Sequence, residues 1–429
     1  APVRSERCGG GGMLKRLPAW IVALAMVSLI IPAKVFAHGE AGDEPFLKDL
    51  TTAFYDVKIS PTVIRVGEPV TITGSVRVLD TWPYTLDPPQ MAYITPVVPG
   101  PVFVLQDRTV NGQSAPGSFF VERNGVYQFK MVILGREPGH WHVHPGIAIQ
   151  GTGTLIGPGE WVDVQPAASK FVFPVALLSG QTIDLDSYEG GFVWWWSLAG
   201  FLLGVAWMLY WTLGHRTVTN LAVTTQIGIN EDAPDIGLIT PRDQMWMNVL
   251  AGLAVALLVV GWFYAANRYP VRLPQQTAWF VPKPLAPDDK LAEVQPEGAS
   301  WNDGTDTLIM KVRAKNISPD PITVKEYIMA MTTFVNGGAD DQAQAGPHDY
   351  VGQLEVDPNT PIAPGETREL TLKITNPVLS DERLIPTHDP QQFIAGLLRF
   401  KNASGGEQFV TTRVSVVPTQ FKAQYIPGL

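Results

Sequence analysis

The chain has 429 residues, of which 45% are hydrophobic and only 17% charged, with 40 Gly, 37 Pro, 13 Trp and a formal net charge of -9. At roughly 100–200 residues per domain this length allows two or three domains, and the acid excess argues against a nucleic-acid partner, which would need a Lys/Arg-rich face. A single cysteine, Cys8, excludes an internal disulfide, Cys-rich zinc sites and iron–sulfur clusters, so any metal must be held by His, carboxylate or main chain.

Residues 1–12 form a Gly-rich leader without periodicity, read as upstream or non-native and set aside. From Met13, a positive stretch (Lys15, Arg16), an apolar run from Trp20 to Ile31 and the small-residue junction Val35-Phe36-Ala37 predict a secretory signal peptide over 13–37. The apolar run is shorter than the ~20 residues a membrane span needs. Cleavage after Ala37 would make His38 the mature N-terminus.

Residues 38–178 read as β. Val70, Ile72, Gly74, Val76 and Val78 alternate with polar residues, as do Tyr127, Phe129 and Met131, and turn signals separate the runs. Two uncharged segments, 192–213 and 245–266, predict membrane-spanning helices. Trp194, Trp195 and Trp196 mark one end of the first and Tyr210 and Trp211 the other, as expected of interfacial aromatic belts. With a cleaved signal, the loop 214–244 is cytoplasmic and both large soluble parts share the extracytoplasmic side. Residues 267–300 are Pro-rich and read as a linker. A second β region, 301–429, shows the same alternation at Leu308, Met310 and Val312, at Leu370, Leu372 and Ile374, and from Phe409 to Val417. The fold class is therefore mainly β with a transmembrane helical hairpin: two β-sandwich domains joined by two spans.

Of seven histidines, three lie in Gly139-His-Trp-His-Val-His-Pro145. In an extended strand His140, His142 and His144 share one face, ~6.5–7 Å apart, and Trp141 and Val143 take the other. His-x-His alone is a weak signal, more often a solvated strand face. His38 adds to it. A mature N-terminal His offers an imidazole and an α-amine, whose pKa of ~7.7–8.0 leaves the nitrogen available near neutrality. Amine, His38, His142 and His144 make an all-nitrogen set suited to Cu(II), although zinc could also occupy it. His215, His348 and His388 read as solvated or headgroup-level residues. No serine-nucleophile motif, P-loop or dinucleotide fingerprint stands in a suitable context.

Ala37-His-Gly-Glu40, Tyr55-Asp56, the Gly67 to Trp82-Pro83 strand pair, Trp141-His-Val-His-Pro145, Ile156-Gly-Pro-Gly-Glu-Trp161 and Pro364-Gly-Glu-Thr367, in this order of parts, resemble the B subunit of particulate methane monooxygenase and ammonia monooxygenase. The resemblance covers essentially all of 38–429. It implies two cupredoxin-like domains, and a copper site made by the amine and imidazole of His38 with His142 and His144. It also implies partner A and C subunits in a trimer of heterotrimers, a small substrate (methane, ammonia or a short alkane), O2, an external electron donor, and a bacterial inner or intracytoplasmic membrane. His140 has no role in the family pattern. Some members carry a second copper site whose positions correspond to Ala53 and Arg77 here, and neither side chain can ligate copper, so no second site is expected. Two other functions compete: a membrane-tethered copper carrier or sensor without catalysis, and an extracellular copper enzyme of the lytic polysaccharide type. The spans disfavour the second of these.

Overall fold

The computed structural model describes residues 45–177, 180–213, 240–269, 279–337, 350–385 and 393–420. The leader, the signal peptide, His38, His215, His348, His388 and most of the loop 214–244 lie outside these residues.

The first β domain is a sandwich. One five-stranded sheet contains the strands Thr52–Ser60, Pro69–Val78, Val126–Gly135 and Phe103–Val110. The facing sheet runs through Met91–Val97, Gly139–Ile149 and Glu160–Gln165. Alternation decides which side chains enter the core. Val70, Ile72 and Val76 from one sheet meet Val143, Ile147, Val162 and Val164 from the other.

The second β domain is one nine-stranded sheet folded into two layers. Its strand Glu407–Gln420 pairs antiparallel with Phe393–Asn402 through its first part. Through its last residues it pairs parallel with Ala292–Asn302, which joins the layers around Trp301, Tyr327, Phe334 and Phe400. Ala292–Asn302 begins inside the stretch read as linker. Pro296 and Gly298 disguise it, and the structure places a bulge there. Its parallel neighbour reaches only Ala299 onward, so Pro296 stands where the strand is paired on one side, a position proline tolerates. Earlier in the same stretch, Trp279–Phe280 joins the sheet of the first domain beside Ser118–Phe120.

The domains are docked on each other. Leu50, Ala53, Tyr55 and Leu79 from the first pack with Ile328, Ala395 and Leu397 from the second. The Phe54 N–H donates to the Ala330 carbonyl at 2.8 Å. Burial pushes the Tyr55 phenol up to about 12, against the opposing pull of Arg77. A short helix α1 (Pro45–Thr51) lies on the strand Phe393–Asn402. It carries Asp49, only 1% exposed, whose two carboxylate oxygens have no hydrogen-bond partner among the described residues.

Burial drives the Asp49 carboxyl well above its ordinary range, with Lys48 opposing. A carboxyl raised in the folded state ionises first in the unfolded chain, so stability falls as pH rises from ~3.9 toward the folded value. Asp49→Asn is expected to flatten that slope and raise the thermal midpoint at pH 7. Superimposable melting curves for both proteins from pH 4 to 8 would contradict this.

Helices α2 (Gly190–Leu213) and α3 (Pro241–Arg268) extend the two predicted spans by a few residues at their ends. Both are long and apolar enough to cross a membrane, and their most apolar windows bury nothing against the rest of the chain. They meet at both ends. Phe192 stacks on Tyr264 at 4.2 Å, and Gly261 leaves room for the Trp196 indole. At the other end the Tyr210 hydroxyl donates to Asp243 Oδ1 at 2.5 Å. Thr240 and Asp243 form a reciprocal cap at the start of α3, where proline occupies the first turn.

Candidate metal centre

The strand Gly139–Ile149 is paired on both sides, with Met91–Val97 and with Glu160–Gln165. Period-two alternation therefore fixes its faces. Val143 is fully buried in the core and Trp141 packs against it. The three histidines take the opposite face, as the alternation predicts.

His144 is 3% exposed. Its Nδ1 lies 2.9 Å from the Gly157 carbonyl. A carbonyl only accepts, so Nδ1 carries the proton and Nε2 keeps the lone pair. That Nε2 lies 3.0 Å from His142 Nδ1, with the rings nearly perpendicular at 77°. The two nitrogens are close enough to hold one ion together, provided His142 Nδ1 gives up its proton and both rings turn their lone pairs toward it.

The loop Ile156-Gly-Pro-Gly-Glu-Trp161 builds this geometry. The Gly157 N–H donates to the Pro145 carbonyl at 2.8 Å, closing the loop onto the histidine strand. A Cβ at Gly157 would meet Phe54 at 2.7 Å, and one at Gly159 would overlap the His144 ring. Neither glycine has a positive φ, so close approach, not backbone conformation, requires them. Trp161 sits directly across from His142 in the ladder and stacks on it at 4.7 Å.

The second β domain also reaches the pair. Tyr350, buried, lies 6.4 Å from His142 and nearly parallel to it, and 6.1 Å from His144. No local motif marks Tyr350, and only the docking of the domains brings it here. His140 belongs to the same face but not to the same pair. Its Nδ1 is 2.5 Å from Asp163 Oδ1, its register partner, and its ring stacks on Trp161 at 4.5 Å.

Among the described residues, no group of three or more His, Cys, Asp or Glu side chains gathers on one point. The described part of the centre is thus a two-imidazole pair with defined tautomer and spacing. Ala53 and Arg77 face each other as register partners. The Arg77 guanidinium pairs with Asp288 and donates to the Phe409 carbonyl at 3.1 Å. A cleft of about 590 Å³ between Arg77, Tyr127, Phe409 and the proline-rich strap 281–290 is not lined by any of the three histidines.

Residues 39–420 match the model of the family of monooxygenase B subunit proteins. This chain is a member of that family. It is also 30% identical, over 92% of its own length and 95% of the relative's, to a Methylococcus capsulatus (Bath) protein named particulate methane monooxygenase alpha subunit. Among solved structures it is similar to the cupredoxin domain of amoB from Nitrosocaldus yellowstonii, with 17% identity, a TM-score of 0.24, and coverage of 32% of this chain and 99% of that one. A cohesin module from Clostridium perfringens follows at 9% identity and a TM-score of 0.18, covering 28% of this chain and 99% of the module. Both likenesses are too slight to bear on the fold. Membership of the family makes this chain part of a multi-subunit monooxygenase.

Proposed function

We propose that this chain is the copper-binding B subunit of a membrane-bound monooxygenase of the particulate methane and ammonia type, acting with A and C subunits on methane, ammonia or a short alkane. The paired His142 and His144, with Nε2 of His144 held as a lone-pair donor 3.0 Å from His142 Nδ1, carry this reading in a chain of this family. His38, freed by cleavage after Ala37, would complete the centre with its imidazole and α-amine. Copper, when bound, would supply one-electron redox chemistry to the complex. The chain's own part is to orient the two imidazoles and shield them. The Gly157 carbonyl fixes the tautomer of one ring, Trp161 backs the other, and Tyr350 closes the side facing the second domain. Both β domains would lie on the extracytoplasmic side, with reducing equivalents from an external donor.

The test is to purify the complex from membranes, identify the chains that accompany this one, and count copper. His142→Ala with His144→Ala is expected to remove the copper held by this chain, and N-terminal sequencing is expected to begin at His38. Unchanged copper content would show the site assignment to be wrong. Purification without two membrane-embedded partner chains would favour a stand-alone copper carrier.

A further inference from the structure

Along the strand Gly139–Ile149 the three histidines form a row whose exposure falls inward. The His140 side chain is 58% exposed, while His144 is buried. Same-face neighbours in a strand stand ~6.5–7 Å apart. His140 is not a loosely solvated ring. Asp163 accepts from its Nδ1 at 2.5 Å, which leaves the lone pair on Nε2, on the far side of the ring. Its plane lies flat against Trp161, 1° from parallel, and the same indole stacks on His142. A carboxylate on one ring nitrogen is the arrangement that fixes the tautomer and orientation of metal-binding histidines. The Gly157 carbonyl does the same for His144.

We propose that His140, set by Asp163, is the landing ligand through which a copper ion passes to the His142–His144 pair; this rests on the copper reading of that pair. The incoming ion binds His140 Nε2 by exchanging one ligand of its carrier or one water. The bond to His140 then breaks as a bond to His142 forms, and the oxidation state does not change. A single exposed imidazole suits this task because it holds the ion weakly enough to release it. A complete ligand set at the surface would retain it. An exposed His–Asp pair contributes little to stability by itself. Its stacking on the indole that also touches His142 gives it a place in the loading path.

The experiment follows copper uptake by the purified, copper-stripped complex from a coloured cupric chelate in a stopped-flow mixer. His140→Ala is expected to slow loading about tenfold, equivalent to ~1.4 kcal/mol on the loading barrier. Its final copper count and cupric EPR spectrum should equal those of wild type. Asp163→Asn is expected to slow loading less, because an amide oxygen can still accept from Nδ1. Wild-type loading rates in His140→Ala would overturn the proposal. So would a lowered final count or an altered spectrum, either of which would make His140 a resident ligand. If wild type and the His142→Ala, His144→Ala double variant take up copper alike, the reading of the pair itself fails, and the landing role with it.

Discussion

If His142 and His144 hold copper as proposed, Gly159→Ala is expected to weaken that binding while leaving the fold standing. The methyl group would overlap the His144 imidazole. That ring is held by the Gly157 carbonyl at 2.9 Å, by His142 at 3.0 Å and by Tyr350 beside it. It can yield only by leaving its rotamer, which costs about 0.5–1.5 kcal/mol and breaks both nitrogen contacts. Overpacking of this kind lowers stability by about 1–3 kcal/mol, which a docked two-domain structure tolerates. Loss of ligand orientation lowers metal affinity about 10–100-fold. Copper counting with cupric EPR, beside a melting curve, separates the two effects. Gly298→Ala is the control, because a Cβ there meets nothing within 4 Å. Copper retained at the wild-type level in Gly159→Ala would defeat the prediction.

Arg399→Met should produce the largest loss of stability. Arg399 stands between Glu326 at 3.0 Å, Glu407 at 2.6 Å and Asp56 of the first domain at 3.0 Å, with the Phe409 ring below its guanidinium. Glu326 is largely buried and loses its cation, while Glu407 keeps Lys401 at 3.7 Å. Breaking a buried charge pair by deleting one partner costs about 3–5 kcal/mol. The deficit should depend on pH. Burial raises the Glu326 carboxyl and Arg399 opposes the rise, so the variant removes the opposition. A carboxyl raised in the folded state withdraws stability as pH climbs from its unfolded value of ~4.3 to its folded one. The deficit should therefore be greatest near neutrality and shrink toward pH 4.5, and Glu326→Gln in the same chain should recover part of it. A deficit of equal size at both ends of that range would rule out this account.

Much of the architecture is local and was legible. The period-two runs at Val70–Val78, Tyr127–Met131, Leu308–Val312 and Leu370–Ile374 all lie in observed strands. The two uncharged, aromatic-ended segments are helices. The division of the strand into a histidine face and a Val143 face follows from alternation alone, because successive side chains of any strand point to opposite sides. The strand Ala292–Asn302 was hidden because Pro296 and Gly298 are breakers in a linear reading, while pairing on one side accommodates them.

Sequence by itself determined the strands with period-two alternation, the two long apolar helices and which histidines share a face, since each depends on residues one to four apart or on composition over one segment. Tertiary structure decided the rest. It set the 3.0 Å approach of His142 to His144 and the tautomer imposed by Gly157. It gave Gly159 its need to lack a side chain, seated Tyr350 from the second domain, and brought Arg399 to Asp56 across 343 residues. The first three exist only once the loop 156–161 closes on the histidine strand, and the last two only after the two sandwiches dock, and no periodicity in a chain records which distant surfaces will meet.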